Sequence, residues 1–133
     1  MKELIAIQKE LNVPKNQRNK FGNYNYRSCE DILVALKPLL AKYKASILIT
    51  DEVKEAGGIP YVEATVVFKA VNTEALSVRA QAGINPNRKG MDIAQSFGSS
   101  SSYARKYALA GMFLLDDTKD ADTMDNSKEA FSL

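Results

Sequence analysis

The sequence predicts an α+β fold in which a three-stranded antiparallel meander packs against amphipathic helices, in the order helix-helix-β-β-β-helix. Two observations predict this class. Apolar residues recur at helical spacing over residues 1–43 and again from residue 93, whereas residues 45–84 alternate between apolar and polar side chains. A sheet of three strands needs cover on its apolar face, which the helices can supply. At 133 residues the chain suits a single domain.

The first part of the chain predicts two helices joined by a polar segment. The first helix ends before Pro14, which cannot continue it. Residues 15–28 have no helical period and hold four basic residues, four asparagines and three aromatics. Ser28 is placed to cap the second helix, with acids in the first turn behind it. Pro38 is expected to kink or divide that helix.

Three extended segments follow as a meander, SILITDEV, PYVEATVVFKAV and ALSVRAQAGI, with turns at Gly57-Gly58 and Asn72-Thr73. In the second segment, alternation collects the apolar side chains on one face: Val62, Ala64, Val66, Phe68 and Ala70. The opposite, polar face of the sheet carries Lys69 and Arg79. The loop INPNRKG, with Arg88 and Lys89, leads to the last segment.

The stretch FGSSSSYARKYALAGMF, residues 97–113, has the composition of a flexible linker, but helical phase persists through its serines. We predict one helix over residues 93–115, with Ile93 and small residues toward the sheet and a polar flank outward. On that flank the Ser102 hydroxyl can donate to a phosphate oxygen, and Arg105 and Lys106 can neutralise its charge. The alternative is that these polar side chains only face water.

Charge is distributed unevenly along the chain. The net charge is +2, but residues 116–133 hold six acids and two lysines, which leaves 16 bases and 10 acids in residues 1–115. A basic body favours polyanions, although a small basic domain can simply be soluble. We therefore separate a basic domain, 1–115, from an acidic tail, 116–133. The tail lacks the glycine and glutamate of an EF-hand and is expected to be solvated and mobile.

Composition excludes several classes of function. With one cysteine, Cys29, and no histidine, the chain cannot form an internal disulfide, and it lacks the ligands of common zinc sites and the usual acid-base catalyst. It has no P-loop, no apolar run near the roughly 20 residues that span a bilayer, and no signal-peptide cleavage site. We expect a cytoplasmic protein that is not an enzyme and needs no catalytic residue, cofactor, metal or membrane.

Two segments together resemble the ERF (essential recombination function) family of phage single-strand annealing proteins. FGNYNYRSCEDILVALKPLLAKY, residues 21–43, is similar to the family's aromatic Tyr-x-Tyr and Pro-Leu-Leu pattern. QSFGSSSSYARKYALAGMFLLDDTKDAD, residues 95–122, is similar to its Gly-Ser, Tyr-Ala-Arg-Lys-Tyr-Ala-Leu and acidic pattern. The likeness spans residues 1 to about 125. Members of the family often have a longer C-terminal region.

The resemblance implies ATP-independent binding and annealing of single-stranded DNA by ring or helical homo-oligomers, in homologous recombination and DNA repair. It also implies a core like that of the eukaryotic strand-annealing mediators. A host single-strand-binding protein or a phage exonuclease would be a further partner, in the bacterial cytoplasm if the protein is phage-encoded. Two alternatives stay open: an oligomeric protein-binding scaffold or regulatory module without DNA activity, and a metal-dependent nuclease built on the tail acids.

These observations predict a nucleic-acid-binding surface that contacts the backbone without regard to sequence and weakens with salt. We assign to it eight cations, one hydroxyl and two aromatics: Lys20, Arg27, Lys69, Arg79, Arg88, Lys89, Arg105, Lys106, Ser102, Tyr24 and Tyr26. The two tyrosines either stack on bases or fill a junction between the first two helices. Replacing Arg105 and Lys106 together by alanine is expected to abolish DNA binding and to leave the fold intact.

Overall fold

The computed structural model describes residues 1–87 and 89–116. These residues form α1 (Lys2–Glu10), β1 (Gln17–Asn19), β2 (Tyr24–Tyr26), α2 (Cys29–Lys42), β3 (Ala45–Ala56), β4 (Ile59–Ala70), β5 (Leu76–Gly83) and α3 (Ile93–Phe113). The α+β class and the β3-β4-β5 meander are confirmed. The β1-β2 hairpin is an addition that the sequence analysis did not predict. Apart from Asp116, the proposed acidic tail lies outside the described residues.

The sheet is held in register by long antiparallel ladders. β3 and β4 pair from Ala45 opposite Ala70 to Ala56 opposite Ile59, and β5 continues the sheet on the other side of β4. The turns fall where predicted, and Gly57, Gly58 and Asn72 take positive φ there. Period-two alternation then puts the five predicted apolar side chains of β4 on the covered face, where all are buried.

All three helices lie on that covered face. Ile7 of α1, Ile32 and Leu36 of α2 and Phe113 of α3 are fully buried in one core with Phe68 of β4. The Phe68 and Phe113 rings meet edge to face, with centroids 6.1 Å apart. Burying each such side chain contributes about 1.5–3 kcal/mol. The opposite face of the sheet carries none of the helices described, so the domain is one-sided.

The two helix predictions that depended on local chemistry have different outcomes. Ser28 caps α2 as predicted: its Oγ accepts from the Asp31 amide at 3.1 Å, and its own amide donates to the Asp31 carboxylate at 2.9 Å. Of the two effects predicted for Pro38, division of the helix is wrong, since α2 runs from Cys29 to Lys42 with Pro38 inside it; a kink stays a prediction. Leu36 and Leu39 pack into the core on both sides of the proline, and this burial opposes the helix break.

The serine-rich stretch is helical throughout, as predicted. α3 is continuous from Ile93 to Phe113, and Ser100, Ala104 and Ala108 are buried against the sheet. Ile93 departs from the prediction, since it is 55% exposed. The first turn of α3 lies beyond the end of β5 and packs on the loop after that strand, where the Ser96 hydroxyl donates to the Asn85 carbonyl. Among the described residues, no helix combines the length and apolarity needed to cross a membrane.

Leu114, which ends α3, has a left-handed backbone with φ 60° and ψ 44°. Such a conformation costs an L-residue about 1–2 kcal/mol, and glycine avoids that cost. We expect Leu114→Gly to raise the free energy of unfolding by about 0.5–1 kcal/mol, allowing for the greater entropy of glycine in the unfolded chain. Urea denaturation measures this change in the free energy of unfolding. Leu115→Gly, which removes a side chain packed on the core, should lower stability, and a loss in both variants would contradict the assignment.

Candidate nucleic-acid interface

The β1-β2 hairpin lies beside α3 and presents aromatic rings to it. Asn19 pairs with Tyr24 and Gln17 with Tyr26, so the two tyrosines lie on one face of the hairpin. Their rings meet edge to face, with centroids 6.1 Å apart. The Lys106 ammonium of α3 lies 5.3 Å from the centroid of the Tyr26 ring. This distance is within the range of a cation–π contact.

Two further tyrosines come from α3 itself. Tyr103 and Tyr107 are one helical turn apart, so their rings are neighbours, with centroids separated by 6.1 Å. Both are nearly half exposed. The Lys106 ammonium lies 6.0 Å from the Tyr103 ring. The sequence analysis did not assign either tyrosine to the site, although their i, i+4 spacing beside Lys106 was a usable signal.

Between the hairpin and α3 is a cavity of about 160 Å³, which we call the tyrosine pocket. Four tyrosines, three cations and one carboxylate are among the residues that line it: Tyr24, Tyr26, Tyr103, Tyr107, Lys15, Arg27, Lys106 and Asp116. The Lys15 ammonium lies 3.8 Å from the Asp116 carboxylate, which offsets part of the positive charge. A shallower depression of about 260 Å³ adjoins it and shares Tyr26, Tyr103 and Lys106; there Ser99 and Ser102 of α3 face Ser28 and Cys29. Aromatic faces, hydroxyls and positive charge are thus continuous over one surface.

Arg27 and Cys29 of this surface are also partly or fully buried. Arg27 is buried; its Nε donates to the Val13 carbonyl at 2.9 Å, and its guanidinium also donates to the Asp116 carbonyl. Arg27 therefore joins the segment after α1 to the end of α3. Cys29 is half-buried, and burial raises the pKa of its thiol above the ordinary value. The raised pKa favours the protonated thiol at neutral pH.

Arg105, the neighbour of Lys106, points away from the tyrosine pocket to Asp51 of β3. The guanidinium donates from Nε to Oδ1 at 3.1 Å and from Nη2 to Oδ2 at 3.0 Å, while the Ser101 hydroxyl donates to Oδ2 at 2.6 Å. The Asp51 side chain is only 20% exposed. Burial acts to raise the pKa of Asp51, but the hydrogen bonds from Arg105 and Ser101 outweigh it and hold that pKa below its ordinary value.

The sequence analysis missed Asp51, although a signal was present. Asp51 pairs with Ala64 in the ladder, so it occupies a position on the covered face where alternation calls for an apolar side chain. A carboxylate at such a position requires a buried partner. What the sequence could not supply was the identity of that partner, Arg105, which is 54 residues away.

The serines of α3 serve different purposes according to helical phase. Ser96 and Ser100 are buried; the Ser96 hydroxyl donates to the Asn85 carbonyl in the loop after β5, and the Ser100 hydroxyl donates to the Gly83 carbonyl at the end of β5 at 2.7 Å. Ser101 supports Asp51. Only Ser99 and Ser102 contribute to the depression beside the tyrosine pocket. The small flank predicted for α3 is therefore present, and it includes the assigned Ser102.

The remaining assigned cations do not all share this surface. Arg79 lies opposite Thr65 on the open face of the sheet, where its Nε is 4.0 Å from Glu63, and Lys69 lies on the same face. The sheet separates both from α3. Lys20 is exposed in the hairpin turn, and Lys89 is exposed in the loop before α3. Arg88 lies outside the described residues.

Tyr24 and Tyr26 are half-buried beside α3 and line the tyrosine pocket. Thus the structure brings together Tyr24, Tyr26, Arg27, Ser102 and Lys106 of the assigned set. It adds Lys15, Tyr103 and Tyr107. Whether these residues contact a nucleic acid stays a prediction.

The fold and this surface define a class: a one-sided α+β domain with a cationic, tyrosine-lined surface formed by a hairpin and the last helix. The chain belongs to the ERF superfamily, whose family model matches residues 1–131. It is 49% identical over 127 residues to the essential recombination function protein of Salmonella phage P22, which confirms the resemblance carried by the two segments.

That alignment covers 95% of this chain but 60% of the P22 protein, so the chain spans less than two thirds of the length of this curated relative. No solved structure matches the chain.

Proposed function

We propose that this chain binds single-stranded DNA without ATP and promotes annealing of complementary strands in homologous recombination. The observation that carries the proposal is the tyrosine pocket, in which four aromatic rings and three cations meet on one surface. Proteins that bind single strands without sequence preference combine these two features: cations follow the phosphates, and aromatic rings stack on successive bases. Family membership and the printed name of the P22 relative support the recombination context.

In this proposal the chemistry is electrostatic and steric, not catalytic. Two complementary strands repel each other as polyanions, and a cation such as Lys106 reduces that repulsion where a strand is held. The rings hold bases unstacked from one another, which leaves their pairing edges available to a second strand. No cofactor and no catalytic residue is needed. The protein would act in the cytoplasm, where a single-strand-binding protein or an exonuclease could supply its strand.

The proposed active form is a ring or helical homo-oligomer. β3 and β5 are the edges of the sheet, and neither has an outer strand partner among the described residues. Unpaired edges are where a further chain can add. Arg79 and Lys69 lie on the open face, away from the tyrosine pocket, so within one subunit they cannot join the same groove. Only contact between subunits would bring the two cationic surfaces into one path.

Fluorescence anisotropy with a labelled oligothymidylate tests the proposal. We expect saturable binding whose association constant falls steeply as salt is raised from 50 to about 200 mM, because phosphate contacts release counterions. A strand-annealing assay without ATP should show faster pairing of complementary oligonucleotides. The absence of binding at low salt would contradict the proposal and favour the protein-binding scaffold. Cleavage of the strand in magnesium would instead favour the nuclease.

A further inference from the structure

The tip of the β1-β2 hairpin exposes a phenylalanine completely. Phe21 has an exposure of 102%, the highest of the large apolar side chains in residues 1–87 and 89–116. It lies in the four-residue turn between Asn19 and Tyr24, which pair with each other at the ends of the two strands. Burial of a phenylalanine is worth about 1.5–3 kcal/mol, and Phe21 contributes none of this to the fold of the single chain.

The position of Phe21 is nevertheless fixed by contacts of its neighbours. The Asn19 side-chain oxygen accepts from the Phe21 amide at 2.9 Å and from the Gly22 amide at 3.0 Å. Arg18 donates to the side chains of Asn23 and Asn25 across the hairpin. Gly22 packs directly on Tyr24, since a Cβ at Gly22 would collide with the Tyr24 ring. The turn therefore holds the aromatic ring outward on a defined backbone.

The surroundings of Phe21 indicate what it can meet. Lys20, next to it, is exposed, and the same hairpin continues into Tyr24 and Tyr26, which line the tyrosine pocket. In a tip-to-tip contact between two hairpins, a second copy would bring its own Lys20 to this turn, and like charges oppose that contact. A ligand with negative charge and flat apolar faces satisfies both the cations and the ring. Nucleobases on a phosphate backbone have this combination.

We propose that Phe21 stacks on a base of the bound single strand and extends the binding surface beyond the tyrosine pocket. The inference rests on the proposed function and adds to it a residue that supplies affinity through bases, independently of the phosphates. One stacked base is worth roughly 5- to 150-fold in affinity. Because Phe21 is fully exposed, its replacement removes the ring without leaving a cavity in the fold.

The test compares two labelled strands of equal length and charge, an oligothymidylate and an abasic strand, each with wild-type protein and with Phe21→Ala. We expect Phe21→Ala to weaken binding to oligothymidylate roughly 5- to 150-fold and to leave binding to the abasic strand unchanged. An equal loss on both strands, or no loss on either, would overturn the inference while the proposed function stands. If the wild-type protein binds neither strand, the proposed function fails as well.

Phe21→Trp supplies a second readout, because the chain contains no tryptophan. We expect oligothymidylate to quench the single tryptophan, the abasic strand to quench it much less, and the affinity of wild type to be retained. Val34→Trp on α2, also exposed, is the matched control and should not respond. If Phe21 instead inserts into a second copy, the emission will shift to the blue with protein concentration without DNA, and Phe21→Ala will reduce the sedimenting mass. That result would overturn the inference.

Discussion

Replacing Arg105 by alanine is expected to lower the free energy of unfolding by about 1–3 kcal/mol, because the mostly buried Asp51 carboxylate would lose its charged partner. The same change at the adjacent Lys106 should cost less than about 1 kcal/mol, since it removes a partly exposed contact with aromatic rings. Chemical denaturation of the two variants side by side measures the difference. Equal losses would show that the Arg105–Asp51 pair does not stabilise the fold.

A double-mutant cycle isolates this ion pair. Asp51→Ala combined with Arg105→Ala should be less destabilised than the sum of the single variants, because neither charge is then left without its partner. The pair also changes how the combined Arg105 and Lys106 replacement is interpreted. That variant is now expected to weaken the fold as well as the surface, so a loss of DNA binding in it would not by itself identify contact residues.

The same pair predicts a pH dependence. The pKa of Asp51 in the folded state lies below its ordinary value of 3.8. As pH falls, the Asp51 carboxylate is therefore protonated in the unfolded chain before it is protonated in the folded one. The stabilisation of the fold by the Arg105–Asp51 pair is complete above the unfolded-state pKa of Asp51, and it is lost as pH falls through the folded-state pKa. Asp51→Asn should not show this part of the loss of stability at acid pH. The free energy of unfolding, measured between pH 6 and about pH 2, tests this prediction. If it falls with pH as steeply in Asp51→Asn as in the wild type, the Arg105–Asp51 pair does not cause the pH dependence.

A large effect on DNA binding through phosphate contact is expected of Lys106→Ala. Lys106 borders both the tyrosine pocket and the adjoining depression, so its ammonium can reach a phosphate while bases contact the rings. We expect the affinity for oligothymidylate to fall about tenfold or more. The slope of log affinity against log salt should decrease in magnitude by about one for the lost phosphate contact.

Lys37→Ala is the matched control for this change, since Lys37 is an exposed helical lysine on α2 that lines neither depression. We expect its affinity and salt slope to equal those of the wild type. A similar loss in both variants would mean that binding depends on net charge alone. An unchanged salt slope in Lys106→Ala would mean that Lys106 contacts no phosphate, and the location of the groove would have to be revised.

The outcome at α3 shows what local patterns can predict. The phase of Ser100, Ala104 and Ala108 predicted a continuous helix and the side of it that faces the sheet, because small residues at helical spacing let one side of a helix pack closely. The cap at Ser28 was predictable for a similar reason, since its chemistry involves residues three apart. The β1-β2 hairpin was not predictable in this way. Its strands are three residues long, too short to show a period.

Tertiary structure alone decided which cations share a surface. Arg105 and Lys106 are adjacent in the chain, yet one is paired with Asp51 and the other lies against Tyr26. Periodicity in the sequence determined the helices, the meander and the face that each residue occupies, because side-chain direction repeats over a few residues. The identity of the residue that each side chain contacts there, such as Arg105 for Asp51, was determined by packing between elements. These two residues are more than fifty positions apart, and no local pattern relates residues at such a separation.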